Sequence, residues 1–238
     1  MISANPFNKR AAQIVYGIGV ALGIVLFGIS TWADLEATNY GFDRYGYQAS
    51  NIRCPVLMTT SEKAVVSGRL KNTTDRSLKA VFRIDVSSLG LWRTLNEKIT
   101  IEPGETKGPS WEVTPEDRVM NYFVFAKVYS FGTYPIPATE GSCGIFVLNI
   151  PGVNGGLIYW AVFLACVLGM GGGLYALRSE VDSAARMQAG MGQARRFLAL
   201  TVFAGLLSSY FGWWVLGIVL LVVAVITLIA MLILAVNQ

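Results

Sequence analysis

Ala80-Val-Phe-Arg-Ile-Asp-Val86 sets apolar Ala80, Phe82, Ile84 and Val86 against charged Arg83 and Asp85 at period two. Successive side chains of a β-strand leave opposite faces, so the stretch predicts a strand with one face buried and one wet. It belongs to a series of short runs rich in β-branched and aromatic residues, at 56–60, 64–70, 78–86, 98–101, 110–113, 122–129 and 145–148. Each is closed off by Gly, Pro, Asn, Asp or Ser. Tyr122-Phe-Val-Phe-Ala-Lys-Val-Tyr129 is apolar nearly throughout and reads as an inner strand. About seven strands over about a hundred residues predict a β-sandwich.

This strand-patterned block, 33–151, carries 13 basic and 13 acidic side chains. On either side of it lie runs without a charge, at 11–32, 156–177 and 197–236. The chain of 238 residues is 53% hydrophobic and 14% charged, against roughly 25% charged in a soluble globular protein. That is a membrane composition. The net charge of +4 sits beside the apolar runs and the middle block is balanced, so nucleic acid is not an expected partner. Histidine is absent, which removes the commonest general base and the commonest transition-metal ligand together.

The run 11–32 is long enough at about 1.5 Å per residue to cross a ~30 Å hydrocarbon core. Lys9 and Arg10 before it, with the small residues Thr31 and Ala33 three and one before a possible cut, also fit a secretory signal peptide. We expect an uncleaved first helix with its N-terminus in the cytoplasm. Gly17 with Ala21, and Gly19 with Gly23, place small residues four apart, the spacing that lets helix backbones approach closely in lipid. The second run repeats the device with Ala165, Gly169 and Gly173, and Cys166 beside them reads as inert packing. Arg178, Arg186, Arg195 and Arg196 outnumber Glu180 and Asp182 in the interval 178–196, which the positive-inside rule places in the cytoplasm. Gly190 or Gly192 is expected to mark a turn there, and Met187 and Met191 fall one helical turn apart.

The run 197–236 is about twice the ~20 residues that one span needs, so two helices are expected. Their break falls at Ser208-Ser-Tyr-Phe-Gly-Trp-Trp214, where Gly212 permits a tight turn. Tyr210, Phe211, Trp213 and Trp214 then serve as interfacial anchors. The aromatic connector Asn39-Tyr-Gly-Phe-Asp-Arg-Tyr-Gly-Tyr47 is read the same way, against a ligand-binding or partner surface.

Val66-Ser-Gly-Arg-Leu-Lys-Asn-Thr-Thr-Asp75, the strand at 78–86 and Ile99-Thr-Ile-Glu-Pro-Gly-Glu-Thr106 together resemble the small immunoglobulin-like domains of microbial surface and envelope proteins. The resemblance covers 64–129 and rests on turn chemistry, so it implies a fold and a role in binding, spacing or scaffolding, with no catalytic residue to carry over. Gly90-Leu-Trp92 is similar to the external loop of claudin-like four-helix proteins, but the cysteine pair expected after it is missing. Cys54 and Cys143 stand just before the first and the last predicted strand. On the far side of the membrane they are expected to form a disulfide, worth roughly 4 kcal/mol in the chain-entropy account, with two buried thiols as the alternative.

Little chemistry is expected. Proton and ion pathways need intramembrane ionisable groups, and the apolar runs hold none beyond the thiol of Cys166. Glu112, Glu116 and Asp117 gather around Pro115 without a nucleophile, and read as a solvated turn. Asn72-Thr-Thr74 is formally a glycosylation acceptor. The resulting expectation is an α-helical membrane protein with four transmembrane helices and an inserted all-β immunoglobulin-like sandwich. Residues 1–32 form a cytoplasmic N-terminus and first helix, 33–151 an extracytoplasmic sandwich, 152–177 a second helix, 178–196 a cytoplasmic basic loop, and 197–238 a tight hairpin of two helices. The expected role is a non-enzymatic accessory or scaffold subunit, with other integral membrane subunits and lipid as partners and no cofactor, metal or small-molecule substrate. A surface receptor or adhesion protein is the alternative, and a channel or transporter component the third.

Overall fold

Residues 6–42, 52–90, 92–132, 136–178 and 187–236 are described by a computed structural model. Among them the strands are β1 (Ile52–Arg53), β2 (Leu57–Thr59), β3 (Ala64–Gly68), β4 (Leu70–Lys71), β5 (Leu78–Ser87), β6 (Trp92–Ile101), β7 (Thr106–Lys107), β8 (Ser110–Val113), β9 (Phe123–Ser130) and β10 (Thr139–Leu148). The helices are α1 (Pro6–Asn39), ahead of the strands, and α2 (Gly155–Arg178), α3 (Met187–Tyr210) and α4 (Trp214–Val236) after them. The chain divides into two compact units, Ser30–Ile158 and the remainder.

In the first unit β2-β10-β9-β5-β6 make one sheet, antiparallel except where β2 runs parallel to β10. β1-β3-β8 make the facing sheet, with β4 and β7 as a separate short pair. Leu78, Ala80, Phe82, Ile84 and Val86 of β5 are buried in the core between the sheets, and Lys79 and Arg83 are exposed, as period two demands. β9 is central in its sheet, and both of its faces are dry. Val124, Ala126 and Val128 join the sandwich core, while Phe123 and Phe125 join a second cluster with Ala33, Ala37 and Phe42.

That second cluster corrects the expected boundary at Trp32, because α1 runs on to Asn39 and lies across the outer face of β9 and β10 as a third layer. Ala33 and Ala37, one helical turn apart, form its apolar stripe. The aromatic connector is corrected with it. Phe42 is buried against Phe125 and Trp92 rather than placed as an interfacial anchor, and half-buried Tyr40 lies beside Phe125. Tyr45 and Tyr47 lie outside the described residues.

Three strand assignments also change. The strand expected at 98–101 begins at Trp92; β6 is an edge strand, mostly exposed on both faces, so its sequence shows no alternation. The strand expected at 145–148 begins at Thr139, which puts Cys143 inside β10 rather than before it. Cys54 likewise follows β1 instead of preceding every strand. The run 64–70 splits at Gly68, beyond which β4 takes β7 as its partner.

Among the described residues, three helical segments are long and apolar enough to cross a membrane: Arg10–Asn39, Gly155–Leu177 and Trp214–Leu234. α3 does not reach that standard, since Arg195 and Arg196 leave only 197–210 uncharged, about 21 Å of helix. Gly190 and Gly192 lie inside α3 and mark no turn. The turn between α3 and α4 is the expected one. Gly212 has φ +69°, its N–H donates to the Ser209 carbonyl at 3.1 Å and that of Trp213 to the Ser208 carbonyl at 2.9 Å.

Candidate functional site

Inside the sandwich unit, specific contacts join the strands to the end of α1 and the start of α2, beginning with the cysteines. Cys54 and Cys143 form a disulfide, their Cα atoms 6.5 Å apart and 89 residues apart in sequence. It ties the connection between β1 and β2 to the middle of β10.

Across the sheet from it, α1 meets β10 at Gly144. A Cβ on Gly144 would land on the carbonyl of Ala33, so only glycine lets the helix backbone lie this close to the strand. The Gly144 N–H falls in the part of β10 that β2 does not pair, and donates to Oδ1 of Asp34 at 3.0 Å. Asp34 is buried. Around this bond Trp32 meets Phe123 edge-on at 5.0 Å, and Phe123 stacks with Phe125 at 5.7 Å. Each buried phenylalanine of this layer contributes about 2 kcal/mol by area.

α2 is held at its N-terminus. The Glu62 carboxylate accepts from the N–H of Thr59 at 2.8 Å, the N–H of Gly155 at 2.8 Å and Nδ2 of Asn154 at 2.6 Å. Oδ1 of Asn154 caps the helix by accepting the N–H of Leu157 at 3.1 Å. Oγ1 of Thr59 donates to the Val153 carbonyl at 2.7 Å, and the Gly152 N–H donates to Oγ of Ser61 at 2.9 Å. A helix start leaves backbone N–H groups unpaired and carries partial positive charge, so a carboxylate there satisfies both. Gly155 admits no side chain, since a Cβ would lie 2.6 Å from the Leu57 carbonyl oxygen.

The acidic group around Pro115 is dispersed. Glu112 pairs with Lys63 on the surface at 3.2 Å, and Glu116 is exposed. Asp117 is buried, accepting from Arg93 at 3.0 Å and from the N–H of Thr114 at 2.8 Å, which makes it a turn-closing residue. Asn72 is fully buried. Its Nδ2 donates to the carbonyls of Arg76 and Ile101 at 2.8 and 2.9 Å, and its Oδ1 accepts from Thr74, so the acceptor motif is occupied in holding the turn. Among the described residues there is no group of three or more His, Cys, Asp or Glu placed to hold a metal.

Within the helical unit the small residues fall into two sets. Gly19 faces the backbone of α2 at Cys166, Gly169 and Met170, Gly169 faces Gly19 and Val15, Gly173 faces Tyr16, and Gly23 faces Val202 of α3. Gly17, Ala21 and Ala165 lie on exposed faces, with nothing within 4 Å of a Cβ on Gly17. Gly17 and Ala21 line an apolar groove of about 410 Å³, bounded by Ile24, Met191, Leu228 and Leu232. Tyr16 closes one end by donating to the Arg195 carbonyl at 2.6 Å. At the α3–α4 turn, Tyr210, Phe211 and Trp213 are exposed and Trp214 is half-buried.

Asp34, Gly144, Glu62 and Gly155 are the residues that reading the sequence missed. Only Asp34 carried a signal, as a carboxylate just past an apolar run and inside a helix-compatible stretch. No family model matches this chain, and no curated protein matches it in sequence. Among solved structures, a CARDB domain from Pyrococcus furiosus, crystallised in complex with di-metal ions, is 13% identical, with a TM-score of 0.33, over 42% of this chain and 90% of its own. A β-glucosidase from Erythrobacter marinus is 18% identical, with a TM-score of 0.29, over 43% of this chain and 15% of its own. A β-glucuronidase from Bacteroides uniformis is 16% identical, with a TM-score of 0.28, over 40% of this chain and 12% of its own. Likenesses this distant carry no argument about what this chain does.

Proposed function

We propose that this chain is a non-catalytic accessory subunit of a larger integral membrane complex. Four transmembrane helices, α3 among them with Arg195 and Arg196 at the headgroups, pack on partner subunits, and the immunoglobulin-like sandwich is held outside the cytoplasm to make protein contacts. The observation that supports this is the groove beside Gly17 and Ala21. Small residues four apart, exposed on α1 and flanked by aliphatic side chains, form a slot that a partner helix enters closely. The basic residues at Lys9, Arg10, Arg195 and Arg196 support the orientation, since they flank the uncharged runs 11–32 and 197–236.

The test is extraction in mild detergent followed by native mass measurement, on the full chain and on the Gly17→Leu/Ala21→Leu variant. Co-migration with a fixed stoichiometry of partners, lost in the variant while the chain itself remains folded, is the expected result. A lone monomer before and after substitution overturns the proposal. Orientation is read separately, by protease added to sealed cells whose outer barriers have been opened.

A further inference from the structure

We propose that the end of the sandwich from which α2 departs is itself a membrane-contacting surface, with Leu89 and Met120 seated among lipid acyl chains and Arg118 on a phospholipid phosphate. Strand register defines that end. Ser87 pairs with Trp92, Val86 with Ala126 and Phe123 with Phe146, so the β5–β6 turn, the loop before β9 and the end of β10 lie together. α2 begins just beyond, at Gly155, fixed there by Glu62. Leu89, Met120, Arg118, Glu116 and Asn149 line one open groove of about 560 Å³ at this end.

The loop tips are built to project apolar side chains. Leu89 is 84% exposed beside Gly90, whose φ of +97° makes the turn, and Met120 is 55% exposed. Met120 and Asn121 occupy the left-handed region in succession, at φ 52° and 64°, a backbone that an unbranched apolar side chain rarely adopts. A strained turn that lifts a methionine out of the fold calls for something to cover it. The start of α2 says what. This helix is apolar and long enough to span a bilayer, so its first turn and the loops beside it meet the same lipid–water boundary.

Arg118 supplies the polar half of the contact. Its guanidinium has no hydrogen-bond or ion-pair partner among the described residues. An arginine's planar donors match phosphate oxygens, and its aliphatic stem tolerates apolar surroundings. Glu116 on the same lining argues against a polyanion and suits a headgroup that carries an ammonium beside its phosphate.

The experiment places spin labels on the full chain in phospholipid vesicles, in a Cys166→Ala background. Leu89→Cys and Met120→Cys carry the labels, with Thr73→Cys, in the turn before the opposite end of β5, as reference. Retention of the Cys54–Cys143 disulfide confirms the fold. The accessibility of the labels at 89 and 120 to oxygen, relative to a water-soluble nickel chelate, is expected to be several times that at 73. The label at 120 is also expected to broaden the headgroup phosphorus resonance, and Arg118→Gln to weaken that broadening. Equal ratios at 89, 120 and 73 overturn the proposal, as do labels shielded from both reagents, which would mean a protein cover. Broadening indifferent to Arg118→Gln removes the arginine from it.

Discussion

At α1 the sandwich meets the side of a helix, through aromatic and aliphatic side chains around one buried carboxylate; at α2 it meets a helix end, through backbone N–H groups gathered on Glu62. The difference follows from what each part of a helix offers. A helix flank has its backbone groups already paired and presents side chains every 3.6 residues, so it docks by packing. A helix start has unpaired donors and partial positive charge, so it docks on acceptors. Both joints need a glycine where the chains come closest, Gly144 at the first and Gly155 at the second.

The comparison breaks most readily at Gly144. Gly144→Val forces α1 off the sheet, and we expect a loss of about 3 kcal/mol or more in unfolding of the purified chain, with Gly144→Ala smaller in the same direction. Asp34→Ala keeps the packing and leaves the buried Gly144 N–H without its acceptor, for about 2 kcal/mol, and Asp34→Asn recovers part of that. A full-length melt distinguishes the two, since an unchanged transition in Asp34→Ala would mean that packing alone holds α1. At the other joint, Glu62→Ala is expected to cost about 1 kcal/mol, the usual worth of a cap. Its clearer signature is faster hydrogen exchange at the Thr59 and Gly155 amides while the β9 amides stay protected. Lys63→Ala, next along the chain, removes only an exposed pair with Glu112 and is expected to change stability by less than about 0.5 kcal/mol. A larger effect there would show that the turn between β2 and β3 depends on surface charge rather than on Glu62.

Neighbouring strands show how far the sequence could be read. β5 was legible because its outer face is wet, so its alternation survives in the letters. β9 was legible as an inner strand, but the cover over its outer face is this chain's own α1, which no pattern within β9 names. β10 was half legible. Thr139-Glu-Gly-Ser-Cys-Gly144 reads as a loop because its glycines are there for close approach, Gly141 against Ile52 and Gly144 against Ala33. β6 was nearly invisible, since an edge strand has little apolar face to show. In the helical unit the ladder was legible as spacing. Which of its members face inward was not, because Gly17 and Gly19 differ only in the direction they point.

Taken alone, the amino-acid sequence determined the apolar runs, the turn at Gly212, the sandwich between its helices and the pair of cysteines that closes it. These depend on periodicity and on residue types with strong local preferences, which a linear string records directly. Tertiary structure alone decided that α1 continues into a third layer, that Asp34 and Glu62 hold the two joints, and which small residues meet a neighbouring helix. Those outcomes rest on hydrogen bonds and close approaches between segments far apart in sequence, 110 residues for Asp34 and Gly144 and more for Gly23 and Val202, where a partner leaves no mark on the local sequence until the chain has folded back to meet it.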